Sequence, residues 1–129
     1  MGGRIESFRD LIAWQKGMEL CKLVYSVSAA FPWSERFGLA SQVRRAAVSV
    51  PSNIAEGYAR RSKGDYLRFL NIARGSLAEI QTQLILAGEL EFAAQERLSS
   101  CIDLADEVDR ILFGLIRAVS TSNSTEARQ

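Results

Sequence analysis

Arg60, Arg61 and Lys63 place three cations within four residues, and Arg44 precedes them on the same helical segment. Cations of this kind make salt-sensitive, sequence-independent contacts with phosphates, so these four residues are a candidate nucleic-acid site. Basic residues at a helix C-terminus also follow from the helix dipole alone, and that reading stays open. No aromatic residues interleave with the cluster to form a stacking platform. The 129 residues include no histidine, which removes Ser-His-Asp and Cys-His nucleophile systems, His-containing zinc sites and the Glu-x-x-His di-iron motif. Asp103, Asp106, Glu107 and Asp109 could suggest a metal, but they lie beside Arg110 on an amphipathic stretch and read as a solvated face. Neither a G-x-G-x-x-G nor a Walker pattern occurs. The expectation is a binding protein rather than an enzyme, with no catalytic residue, no cofactor and no metal.

The elements that must position these side chains are helices. The chain is 47% hydrophobic and 24% charged, has only two prolines, and follows an apolar period of three to four residues throughout. A chain of this size can fold around one core without a disulfide or metal, so residues 1–129 read as a single domain. Two cysteines, Cys21 and Cys101, are too few for a disulfide framework and suggest a reducing compartment. No secretory leader and no long apolar run is visible, so the expected location is cytoplasmic, away from membranes.

Four helices account for the pattern. The first spans about residues 10–30, with Asp10 as cap or first-turn acid and an apolar stripe of Leu11, Trp14, Met18, Cys21, Val24 or Tyr25, and Ser28. The second spans about 39–61 on Val43, Ala46, Ala47, Val50, Ile54 and Tyr58. Pro51 inside it predicts a kink or short break near Val50, with Ser49 and Ser52 placed to satisfy the freed groups. The third runs from a Ser62 or Asp65 cap to about Gly88, on Tyr66, Phe69, Leu70, Ala73, Leu77, Ile80, Leu84 and Ala87. The fourth carries Leu98, Ile102, Ala105, Val108, Leu112, Leu115 and Val119. The ordered core is expected over about 8–119, with a polar, disordered tail from Ser120. Short loops between long helices predict an all-α, antiparallel, up-down-up-down four-helix bundle.

A second, polar stripe flanks the apolar one on helices two and three. At 100 degrees per residue, Gln42, Arg45, Ser49, Asn53 and Glu56 share a quarter of one helix, and Arg68, Asn71, Gly75, Glu79 and Thr82 share a strip of the next. In an antiparallel hairpin turning near Ser62 they would pair Arg45 with Glu79, Ser49 with Gly75, Asn53 with Asn71 and Glu56 with Arg68. The alternative is two ordinary solvated faces. Gly75 in mid-helix costs about 1 kcal/mol against alanine, which suggests close helix approach there, and Gly57 makes the same point or marks unwinding after Pro51.

Charge is polarised along the chain although the formal net charge is only +1. Residues 39–79 carry seven basic and three acidic side chains, a net +4, whereas residues 80–119 carry three basic and seven acidic, a net −4. A dipolar subunit suits head-to-tail association, and a rotation that closes gives a ring.

Three stretches carry a resemblance: Phe31-Pro32-x-x-Glu35-Arg36-Phe37-Gly38-Leu39, Gln42-x-Arg44-Arg45-Ala46-Ala47-x-Ser49-x-Pro51-Ser52-Asn53-Ile54-Ala55-Glu56-Gly57, and Arg68-Phe69-Leu70-x-Ile72-Ala73-Arg74-Gly75-Ser76-Leu77-x-Glu79. Together they closely resemble the four-helix bundle proteins encoded by intervening sequences in bacterial 23S ribosomal RNA genes. The resemblance implies a homopentameric ring with no established enzymatic activity. The chain is also similar to the accessory variability proteins of diversity-generating retroelements, which bind nucleic acid and a reverse transcriptase, and this implies a role with RNA or DNA. The alternative is a scaffold whose ring surface receives a protein partner. Gln81 stands where the family usually has Glu, which puts a role for that carboxylate in doubt.

Overall fold

The computed structural model describes residues 3–122. Four helices form the chain: α1 (Ile12–Ser28), α2 (Leu39–Tyr58), α3 (Lys63–Glu89) and α4 (Gln95–Thr121), with single 3-10 turns at Phe8–Asp10 and Trp33–Glu35. No strand occurs among the described residues. Residues 123–129 of the expected tail lie outside the described residues, while Ser120 and Thr121, assigned to that tail from sequence, form the end of α4.

Local side chains open three of these elements, while α1 and α4 start without a side-chain cap. Ser62 Oγ accepts from the Asp65 N–H at 3.1 Å and starts α3. Gly38 precedes α2 with no side chain to offer, and Glu35 Oε1 takes the Leu39 N–H instead, at 2.9 Å. Asp10 caps the 3-10 turn rather than α1, accepting from the Glu6 and Ser7 N–H groups at 2.8 and 3.1 Å.

One apolar cluster draws on all four helices. The α3 stripe is buried along its whole length, and α2 and α4 bury most of theirs. Helix α1 differs from the sequence reading. Leu11, Val24 and Ser28 of the expected stripe are buried, but the rest of the buried face is Ala13, Gly17, Leu20 and Val27, whereas Met18 and Tyr25 are exposed and Trp14 and Cys21 half-buried. Both stripes are apolar enough to serve, and packing chooses the one with small residues. A Cβ on Gly17 would sit 3.4 Å from Val50 and 3.6 Å from Pro51, so this face lets α1 lie close against α2.

Pro51 does not break α2, which continues from Leu39 to Tyr58. Proline has no N–H to give the Ala47 carbonyl one turn earlier. That carbonyl is satisfied from another helix: the Cys21 thiol of α1 donates to it at 2.9 Å. Neither Ser49 nor Ser52 takes this role. Burial pushes the thiols of Cys21 and Cys101 up to about 11, so Cys21 carries its donor proton at neutral pH.

The close approach of α2 and α3 falls at Gly57, not Gly75. A Cβ on Gly57 would lie 2.8 Å from Phe69 Cβ and 3.2 Å from the Tyr66 carbonyl oxygen, and Gly57 remains inside the helix rather than unwinding it. Gly75 is exposed, with nothing within 4 Å of such an atom.

Cys21→Ala should lower stability in urea unfolding by about 1–3 kcal/mol by stranding the Ala47 carbonyl. In a Pro51→Ala background the restored N–H supplies that bond, so the Cys21→Ala penalty should shrink; equal penalties in both backgrounds would refute the link. Gly57→Ala should destabilise by about 1–3 kcal/mol through backbone clash, whereas Gly75→Ala should stabilise by about 0.5–1 kcal/mol, as thermal melts of the two variants would show.

Candidate functional site

The polar residues of α2 and α3 meet in a groove. Gln42, Arg45, Ser49, Ser76 and Glu79 line a cavity of about 520 Å³. Its floor is a chain of hydrogen bonds. Asn53 Nδ2 donates to the carbonyl and the hydroxyl of Ser49, each at 2.8 Å, and the Ser49 and Ser76 hydroxyls lie 2.8 Å apart. Gln83 is buried beneath, its Nε2 donating at 3.4 Å to Glu79 and 3.5 Å to Gln42, while its Oε1 is buried without a partner.

The pairing across this groove differs from the sequence expectation by one residue. Ser49 faces Ser76 rather than Gly75, and Gln42 faces Gln83. The expected charge pairs do not form. Glu56 is bonded to Arg60 at 2.9 Å, and Arg68 contacts Asp65 at 3.8 Å, both within a helical turn. Asn71 donates to the Leu67 carbonyl of its own helix at 2.9 Å, not to Asn53. Arg45 and Glu79 border the groove as exposed side chains, and among the described residues no ion pair joins them. The groove thus has an uncharged floor, buried at Ser76 and Gln83 and half-buried at Ser49 and Asn53, and charged, solvated rims. Ser76 and Gln83 escape a reading by periodicity because each lies at the margin of an apolar stripe.

The four candidate cations are not one cluster. Arg44 precedes Arg60 by 16 residues of helix and chain, about 24 Å of rise. It holds the end of α1, donating from Nε to Ser28 Oγ at 2.7 Å and from Nη2 to the Tyr25 carbonyl at 3.2 Å. Arg60 is bonded to Glu56 and packs over the Phe69 ring at 4.8 Å. Lys63 Nζ donates to the Ser120 and Ser122 carbonyls at 3.1 and 2.6 Å, closing the C-terminus of α4. Arg61 is exposed with no polar partner among the described residues. Among the described residues Arg44 and Lys63 meet only uncharged groups, which leave their positive charge uncancelled.

The acidic segment is partly neutralised inside the chain. Asp109 receives Arg74 Nε at 2.9 Å and Nη2 at 3.3 Å, a forked bond that raises the Arg74 pKa, and Glu107 lies 3.4 Å from Lys16. Gln81 donates to Asp106, a contact that a glutamate in its place would turn into a like-charge pair. Among the described residues no group of three cysteine or acidic side chains could hold a metal, and no helix is long and apolar enough to cross a membrane.

A family model described as 23S rRNA-intervening sequence protein matches residues 9–114. Among solved structures, the chain is similar to a protein of unknown function from the S23 ribosomal protein family of Bacteroides thetaiotaomicron. The TM-score is 0.76 at 22% sequence identity, covering 82% of this chain and 96% of that one, a likeness of fold. No curated protein matches the chain.

The groove geometry predicts unequal costs. Ser76→Ala should lower stability by about 1 kcal/mol or more and couple to Ser49→Ala in a double-mutant cycle. Arg45→Ala and Glu79→Ala should each cost under about 1 kcal/mol and add independently. Strong coupling between Arg45 and Glu79 would restore the charge pair that the structure lacks.

Proposed function

The chain belongs to the 23S rRNA-intervening sequence protein family, and from that premise we propose a non-enzymatic bundle that assembles into a homopentameric ring and binds nucleic acid. Its helices alternate up and down, each antiparallel to the next, and it acts in the cytoplasm. The observation that carries the nucleic-acid reading is the state of charge at the α2–α3 turn. Arg61 is exposed and unpaired among the described residues, and beside it Lys63 meets only carbonyl oxygens. The Lys63 bonds also bring this turn to the end of α4, where Arg117 adds an exposed cation. Repetition of such an end around a ring multiplies weak phosphate contacts into useful affinity. The absence of histidine from the sequence supports a role without catalysis.

A second reading, a scaffold for a protein partner, is favoured by one surface. Ile85, Leu86 and Leu90 near the end of α3 are 51%, 42% and 50% exposed, a run of aliphatic side chains unusual on a solvated helix end.

Light scattering at low salt, followed by RNA titration of the oligomer over a range of salt, tests both parts. The expected mass is pentameric, and Glu96→Lys with Asp103→Lys should weaken assembly without breaking an internal ion pair. Arg61→Ala with Lys63→Gln should reduce the slope of log affinity against log salt by about one per lost phosphate contact. A monomer at micromolar concentration rejects the ring, and an unchanged slope rejects the turn as the contact site.

A further inference from the structure

At the opposite end of α2, the connection from α1 encloses a cavity of about 250 Å³ whose walls include Trp33, Arg36 and Arg44 and no acidic residue. Both guanidiniums are held in place by uncharged groups. Arg36 Nη1 donates to the Trp33 carbonyl at 3.0 Å, and its guanidinium lies 4.2 Å from the Trp33 ring centre and 4.8 Å from that of Phe37. Arg44 is fixed by Ser28 and by the Tyr25 carbonyl, and lies 4.7 Å from the Tyr25 ring centre. The adjacent carboxylate, Glu35, is directed to the Leu39 N–H and cancels neither charge. Each guanidinium has five N–H donors and uses one or two, so donors remain for an anion whose capture orders no further side chain.

The rings beside these cations are open to solvent. Trp33 is 76% exposed and Phe37 84%, the two most exposed large apolar side chains described. Trp33 lies in the 3-10 turn, 11 residues ahead of Arg44, so the folding back of the connection and not sequence adjacency brings the two to one cavity, while Phe37 joins them through the Arg36 guanidinium. Flat aromatic faces flanking uncancelled, pre-positioned guanidiniums match what an unpaired nucleic-acid strand presents, bases to stack and phosphates to neutralise. An acidic peptide would engage the guanidiniums alone and leave both rings without a role.

We propose that the α1–α2 connection is a stacking site for single-stranded nucleic acid, in which Trp33 and Phe37 receive bases and Arg36 and Arg44 receive the flanking phosphates. The site rests on the nucleic-acid reading above but on different residues from the α2–α3 turn. Its location gives the bundle a polyanion contact at each end of α2.

The test uses the full chain carrying Trp14→Phe, which leaves Trp33 as the sole tryptophan. Short oligouridylate, its deoxy counterpart, a duplex of equal length and inorganic phosphate are titrated at low salt, with tryptophan fluorescence and the anisotropy of labelled strand as readouts. Both single strands are expected to quench Trp33, with the duplex and phosphate leaving it unchanged; quenching by only one sugar type would assign the ligand to RNA or to DNA. Trp33→Ala should weaken single-strand binding roughly ten-fold or more, and Trp33→Phe should restore most of it. Circular dichroism of the same variants should stay unchanged, because the ring is exposed. If Trp33→Ala with Phe37→Ala binds as tightly as the parent while Arg61→Ala binds more weakly, the stacking site is overturned and the nucleic-acid reading survives at the turn. If the unaltered oligomer binds no strand even at low salt, both fall and the exposed rings belong to a protein contact.

Discussion

The contact between Gly57 and the Phe69–Tyr66 segment governs how closely α2 and α3 pack. With no Cβ at Gly57 the two helices approach until Phe69 Cβ occupies the vacant volume. One residue of slide is about 1.5 Å of rise and 100 degrees of rotation. That is enough to replace Gly75 by Ser76 opposite Ser49, bury Gln83 under Gln42, and turn Asn71 out to its own backbone. The groove between the helices is a consequence of that register.

A second pattern concerns helix ends. The exposed carbonyls of a C-terminus carry partial negative charge, and cations from other elements seek them. Arg44 of α2 serves the end of α1, and Lys63 at the start of α3 serves the end of α4. These bonds are to neutral oxygens, so they position the cations without cancelling them. The same two side chains therefore join helices and supply fixed positive charge, whereas Arg60 and Arg74 are spent on Glu56 and Asp109.

Helices α1 and α2 are tied by a complementary pair of defects. Pro51 leaves a carbonyl without its helical donor, and Cys21 is a weakly polar group in an apolar seam. Each resolves the other. A proline that would be expected to break an isolated helix is tolerated because a thiol from the neighbouring helix replaces the missing N–H, while Gly17 lets that neighbour come near enough.

Much of this was legible in the residues. An apolar period of 3.6 residues encodes which angle of a helix turns inward, so most of the buried stripes of α2, α3 and α4 and the polar strips of α2 and α3 could be read directly, with Ser62 one of two candidate caps for α3. In α1 two apolar stripes compete, and only the fit of Gly17 against Val50 and Pro51 selects the one with Leu20 and Val27. Angular period says nothing about axial register, which depends on contacts between helices. Partner choice follows register, so the Ser49–Ser76 bond, the Cys21–Ala47 bond and the separate duties of Arg44, Arg60, Arg61 and Lys63 were decided by tertiary structure. The meeting of Arg44 with Trp33 and Arg36 across one cavity belongs to the same class, because it depends on how the α1–α2 connection folds back over the start of α2.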